Sequence, residues 1–209
     1  MVVDKDKILN NYKILANTVK EKIPQRAESL LRMYDLFSDR ILLSPSNSSI
    51  SYPFCYPGGF LESILKLADV SVKMLKFFKH LSEESTQNIS EESVLFVALN
   101  QDLGKLGLPN SLDFFIPNNE SDWEYKKGFI YSINKEIPIS SKSDRTLYIL
   151  NYFKVPMSFE ESLAIKLSDL LLEENRMFYT SRESNKLNLP YIISLSKIIL
   201  DRTEKQRIF

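Results

Sequence analysis

The chain has 209 residues, 44% of them hydrophobic and 26% charged, enough for one domain with a sizeable core and ordinary for a globular protein. Lys and Arg total 27, as do Asp and Glu, and this zero balance argues against broad electrostatic attraction to nucleic acid or an anionic membrane. A single cysteine, Cys55, excludes an internal disulfide and fits a reducing cytoplasm; no apolar run reaches transmembrane length, and the opening Met-Val-Val-Asp-Lys-Asp-Lys is charged too early for a signal-peptide core.

Residues 5–20 carry Ile8, Leu9, Tyr12, Leu15, Ala16 and Val19 at helical spacing, with Asp4 placed to cap. Pro24 suits the first turn of a second helix whose apolar face is Ala27, Leu30, Leu31, Tyr34, Phe37 and Ile41. Ser44 to Pro57, rich in Ser and Pro, reads as a loop. Pro57-Gly58-Gly59 then opens a long buried helix running to about Leu81. After a polar stretch, Glu91-Glu92 begin another helix, where acidic side chains suit the dipole, and it runs into Gln101-Asp102. From Gly104 to about Pro138 the pattern is interrupted by Pro109, Pro117 and Gly128, and Trp123, Tyr125, Phe129 and Tyr131 supply aromatic surface; a short hairpin or a cover is expected. Three further helices are expected: Asp144 to about Phe153, one opened by Ser158 with Glu161 in a capping box, and one starting at Pro190 with Ile192, Ile193, Leu195, Ile198, Ile199 and Leu200 as its apolar residues. No internal repeat and no linker divides the chain.

Two glycine-bearing segments resemble a known superfamily. Tyr56-Pro57-Gly58-Gly59-Phe60-Leu61-Glu62-Ser63 resembles the Tyr-Pro-Gly-Gly segment of HD-domain proteins, which ends in His. Ala98-Leu99-Asn100-Gln101-Asp102-Leu103-Gly104-Lys105 resembles the His-Asp-Leu-Gly-Lys segment that names them. Ala164-Ile165-Lys166-Leu167-Ser168-Asp169 and the run from Leu189 to Lys197 are similar to C-terminal segments of phage-encoded HD-domain proteins, so the likeness covers roughly residues 40–200. It implies an all-α, HD-domain-like helical bundle with a small irregular or hairpin insertion around 108–140. It is one domain over 1–209, with N-terminal helices 1–43 packed on a core 44–204.

The departures share one direction. Where the pattern asks for His, this chain has Pro53, Ser63, Gln101, Ser168 and Ser194; where the last segment asks for Asp, it has Lys197. Only Asp102 and Asp169 remain at their places. In the family, imidazoles and carboxylate hold divalent metal that supplies an attacking hydroxide; Ser and Gln do not replace them. The resemblance therefore implies a vestigial pocket of Ser63, Gln101, Asp102, Lys105, Ser168, Asp169, Ser194 and Lys197, with no resident metal and no catalytic residue.

The first expectation is a catalytically inactive binding or regulatory factor, phage-encoded by analogy and working in a host cytoplasm. Its partner is a host or phage protein, a second copy, or a nucleotide left unhydrolysed. A second is a phosphohydrolase using Mg²⁺ on Asp102 and Asp169. A third, disfavoured by the zero charge, is a nucleic-acid-binding module stacking bases on the aromatic residues of 123–131. Lys197 carries a sharper expectation: its ammonium compensates the two carboxylates where the metal charge is gone. His80, at a helix end, reads as a surface residue.

Overall fold

In the computed structural model, residues 4–109, 113–168 and 188–204 are described. The described chain is mostly helical. Its helices are α1 (Lys5–Lys22), α2 (Ala27–Leu36), α3 (Ser38–Leu43), α4 (Gly59–Leu81), α5 (Glu91–Asn100), α6 (Trp123–Lys126), α7 (Lys142–Tyr152), α8 (Phe159–Lys166) and α9 (Asn188–Thr203). Short 3-10 turns lie at Pro24–Arg26, Glu84–Thr86 and Leu103–Leu106. An antiparallel hairpin pairs β1 (Phe115–Pro117) with β2 (Tyr131–Ile133), Phe115 opposite Ile133 and Pro117 opposite Tyr131. Among the described residues, no helix is long and apolar enough to cross a membrane.

Two helices organise the rest. Helix α5 is buried on every side from Val94 to Asn100, which a helix tolerates only at the centre of a bundle. Helix α4 packs along it and also meets α1, α3 and α9, burying Phe60, Leu61, Ile64, Leu67, Ala68 and Leu75. Helices α8 and α9 close the other side of α5. Local signals fix the ends. Asp4 accepts from the Lys7 amide, Ser90 from Ser93, and Ser158 from Glu161 while the Glu161 carboxylate reaches back to the Ser158 amide.

Buried polar groups tie the bundle together. The Arg26 guanidinium lies between Glu92 and Glu161, 2.9 Å from each, and over the Phe96 ring. The Tyr34 hydroxyl donates to Asn100 Oδ1 at 2.8 Å, and Asn100 Nδ2 donates to the Phe96 carbonyl.

The structure corrects several expected details. The helix expected from Pro24 is a 3-10 turn followed by two helices, divided at Phe37, whose ring is buried 6.3 Å from that of Phe153. The helix expected from Asp144 begins at Lys142, because the Ser141 hydroxyl accepts from the Asp144 amide. The helix expected from Pro190 begins at Asn188. Leu9, Leu195, Ile198 and Ile199, counted on apolar faces, are 38–52% exposed. His80, by contrast, is exposed in the last turn of α4, as expected.

Candidate functional site

The two glycine segments shape one region. Gly58 has φ +83°, the left-handed turn that opens α4. A Cβ on Gly104 would lie 2.2 Å from the Lys142 carbonyl oxygen, so the absence of a side chain lets the 103–106 turn press against the start of α7. The Gly104 amide donates to Thr146 Oγ1 at 2.9 Å, and Arg145 Nε donates to the Gly104 carbonyl at 2.9 Å. This contact sets Lys142 beside Asp102.

Asp102, at the end of α5, is 5% exposed and carries three ammonium neighbours. Lys142 Nζ lies 2.5 Å from Oδ1, Lys105 Nζ 3.0 Å from Oδ2, and Lys197 Nζ 3.7 Å from Oδ1. Since Lys142 and Lys197 approach the same oxygen, their nitrogens are at most about 6 Å apart, close enough for each charge to oppose the other's. Burial alone would raise the Asp102 carboxyl, but the three ammoniums outweigh it and hold it well below the ordinary carboxylate range. Burial pushes the Lys142 amine down to about 7; Asp102 opposes that shift, while Lys197 and Lys105 add to it.

Serine hydroxyls complete the surroundings. Lys105 Nζ donates to Ser46 Oγ at 3.2 Å, and Ser63 Oγ lies 3.2 Å from the same hydroxyl while donating to the Phe60 carbonyl. Lys142 Nζ also donates to Ser168 Oγ at 3.2 Å. The cluster lies on a cavity of about 1060 Å³ between the 44–57 loop, α4, the hairpin, the start of α7 and the end of α9.

Of the residues expected from the sequence, Ser63, Asp102, Lys105, Ser168 and Lys197 line this cavity, and so does Pro53. Ser194 is buried on α9. Gln101 is fully buried and does not line the cavity; its side-chain amide has no hydrogen-bond partner among the described residues. Asp169 lies outside the described residues, so its relation to Lys197 does too. Lys142 and Arg145 line the cavity without having been singled out. The Ser141–Asp144 pattern is the signal for Lys142: it moves the helix start two residues earlier and turns a loop lysine into a fixed one.

The donor set does not fit the divalent metal that HD-domain proteins hold. Both Asp102 oxygens face ammonium groups, the serine hydroxyls are weak neutral ligands, and no group of three or more His, Cys, Asp or Glu side chains forms among the described residues. The aromatic residues of 123–131 lie apart from the cavity: Trp123 is 66% exposed with Lys127 Nζ 4.2 Å from its ring centroid, and Phe129 is 44% exposed. Compared with family models, with curated proteins and with solved structures, the chain gives no match.

Proposed function

We propose that the chain is a non-catalytic binding protein on an HD-like framework, in which lysine ammoniums stand where the family pattern would place metal. The observation that carries this reading is the occupation of both Asp102 oxygens by Lys142, Lys105 and Lys197. With its charge offset by ammoniums at 2.5, 3.0 and 3.7 Å, this carboxylate offers little net attraction to a hydrated cation. The ammoniums of Lys105 and Lys197 beside the same carboxylate also repel an incoming cation.

The resemblance extends the reading to a phage-encoded factor directed at a host or phage protein. The test is metal analysis of the purified chain, followed by a turnover screen of phosphate esters and nucleotides with Mg²⁺, Mn²⁺, Zn²⁺ and Fe²⁺. The expected result is no stoichiometric metal and no turnover. Stoichiometric metal, with turnover abolished in Asp102→Ala, would overturn the reading in favour of a phosphohydrolase.

A further inference from the structure

We infer that the Lys142 amine is a reversible covalent capture site, condensing with an aldehyde whose apolar body fills the cavity. The inference rests on the non-catalytic reading above and names a ligand class for the same pocket.

The position of Lys142 carries it. The residue opens α7, fixed there by the Ser141 cap and by the close contact at Gly104. Its side chain lines the cavity yet is only 10% exposed. The amine donates to Asp102 Oδ1 at 2.5 Å and to Ser168 Oγ at 3.2 Å. The charged groups around it are Asp102 at the end of α5, Lys105 in the turn that follows, and Lys197 and Asp201 on α9. Arg145, on its own helix, lines the same cavity. A desolvated lysine beside another cation is the usual form of an amine nucleophile, because both effects favour the neutral base. With burial bringing the amine to about 7, much of it is neutral near pH 7.5, against roughly one ordinary lysine in a thousand.

The chemistry closes without a co-reactant. The amine lone pair attacks the carbonyl carbon, a C–N bond forms, and the C=O π pair moves to oxygen. That oxygen takes a proton to give a carbinolamine, which loses its hydroxyl with a second proton as water and leaves an iminium. Lys105, an ammonium on the other Asp102 oxygen, is a proton source on the same wall. Counted from the ammonium, R–NH3+ and an aldehyde give an iminium and one water, with no net proton and no electron transferred. The iminium keeps both the positive charge and an N–H, so it still donates to Asp102. Acylation would cancel that charge and leave the buried carboxylate short of a partner, so the pair favours carbonyl condensation.

Size and lining give the ligand its body. A volume of about 1060 Å³ is at the upper end for small-molecule sites. Beyond the lysines the wall turns apolar, with Ile64, Leu67, Phe114 and Phe115. An apolar body covered by this wall gains affinity and shields the iminium from hydrolysis.

Incubation of the full chain with benzaldehyde and sodium cyanoborohydride tests this, since hydride turns the imine into a stable benzylamine that peptide mass mapping locates. Near pH 7.5, Lys142 should be labelled at least about tenfold faster than the exposed Lys73. Dilution before the reductant is added should abolish the label. With acetaldehyde, which has little apolar surface, the preference for Lys142 over Lys73 should fall several-fold. Lys142→Met, first shown by thermal unfolding to be folded, should lose the fast label. The inference is overturned if Lys142 in the folded parent is labelled no faster than Lys73, or if folded Lys142→Met takes up its first benzyl group as fast as the parent. An equal preference with both aldehydes overturns the apolar body. The label is read without metal or phosphate ester, so its failure is distinct from failure of the non-catalytic reading, which shows as phosphate turnover.

Discussion

Replacing Asp102 by Asn separates the role of its charge from that of its shape. The amide has nearly the same volume and still offers an oxygen, so packing is preserved, but three ammoniums lose their counter-charge. Asp102 is 5% exposed, and its nearest partner, Lys142, is 10% exposed at the side chain. Removing one partner of a buried ion pair costs about 3–5 kcal/mol, because the other charge stays buried and uncompensated. For a domain of this size that corresponds to a fall in Tm of roughly 6–20 °C. Lys142→Met is the matched control. It removes an ammonium from a group with too many, leaves Lys105 and Lys197 on the carboxylate, and fills the same space with an apolar chain. Its cost should stay below about 1 kcal/mol, or become a gain. Urea unfolding at pH 7 gives both values from midpoints at unchanged slope. If Asp102→Asn costs less than about 1 kcal/mol, or if the two variants cost the same, the Asp102 charge does not organise this cluster and the reasoning fails.

Lys142 also makes stability depend on pH. In the unfolded chain its amine titrates near the ordinary lysine value of about 10.4, whereas in the folded protein burial brings it to about 7. Between these values the unfolded chain holds the extra proton, so stability rises with pH, by at most about 1.4 kcal/mol per unit; below pH 7 both states hold it and the contribution is flat. Urea titrations from pH 6.5 to 9 should show the parent gaining stability relative to Lys142→Met, and parallel profiles would contradict this. Gly104→Ala places a carbon 2.2 Å from the Lys142 carbonyl oxygen, a backbone atom, and should cost about 1–3 kcal/mol or more by thermal unfolding. Tyr34→Phe leaves the buried Asn100 oxygen without its donor and should cost about 1–3 kcal/mol in the same assay.

Much of the helical framework could be read from the sequence because its signals are local. Asp4, Ser158 with Glu161, and the apolar spacing from Phe60 to Leu75 each fix an element without reference to the rest of the chain. The break at Phe37 was not legible: no Gly or Pro marks it, and the division comes with Phe37 packing against Phe153, a contact made across 116 residues. Apolar periodicity likewise overstated α9. Ile198 faces a cavity and Leu195 and Ile199 are partly exposed, since spacing shows which residues share a face but not how much of that face is covered. The site was half legible. Asp102, Lys105 and Lys197 stand out through a family pattern, whereas Lys142 is visible only once Ser141 is recognised as a cap and Gly104 as a close contact.

The three lysines lie at positions 105, 142 and 197, and their common carboxylate is at 102, so the cluster joins stretches almost a hundred residues apart. No partly folded chain that lacks docked α9 or α7 contains it. The cluster is thus a checkpoint for completed assembly rather than a local structure. Any ligand that requires all three ammoniums has affinity for the finished fold alone and protects the whole bundle by mass action. Amide hydrogen exchange should then slow together in α4 and α5, whose core amides open only when the entire domain does, and not just in the loops that touch the ligand.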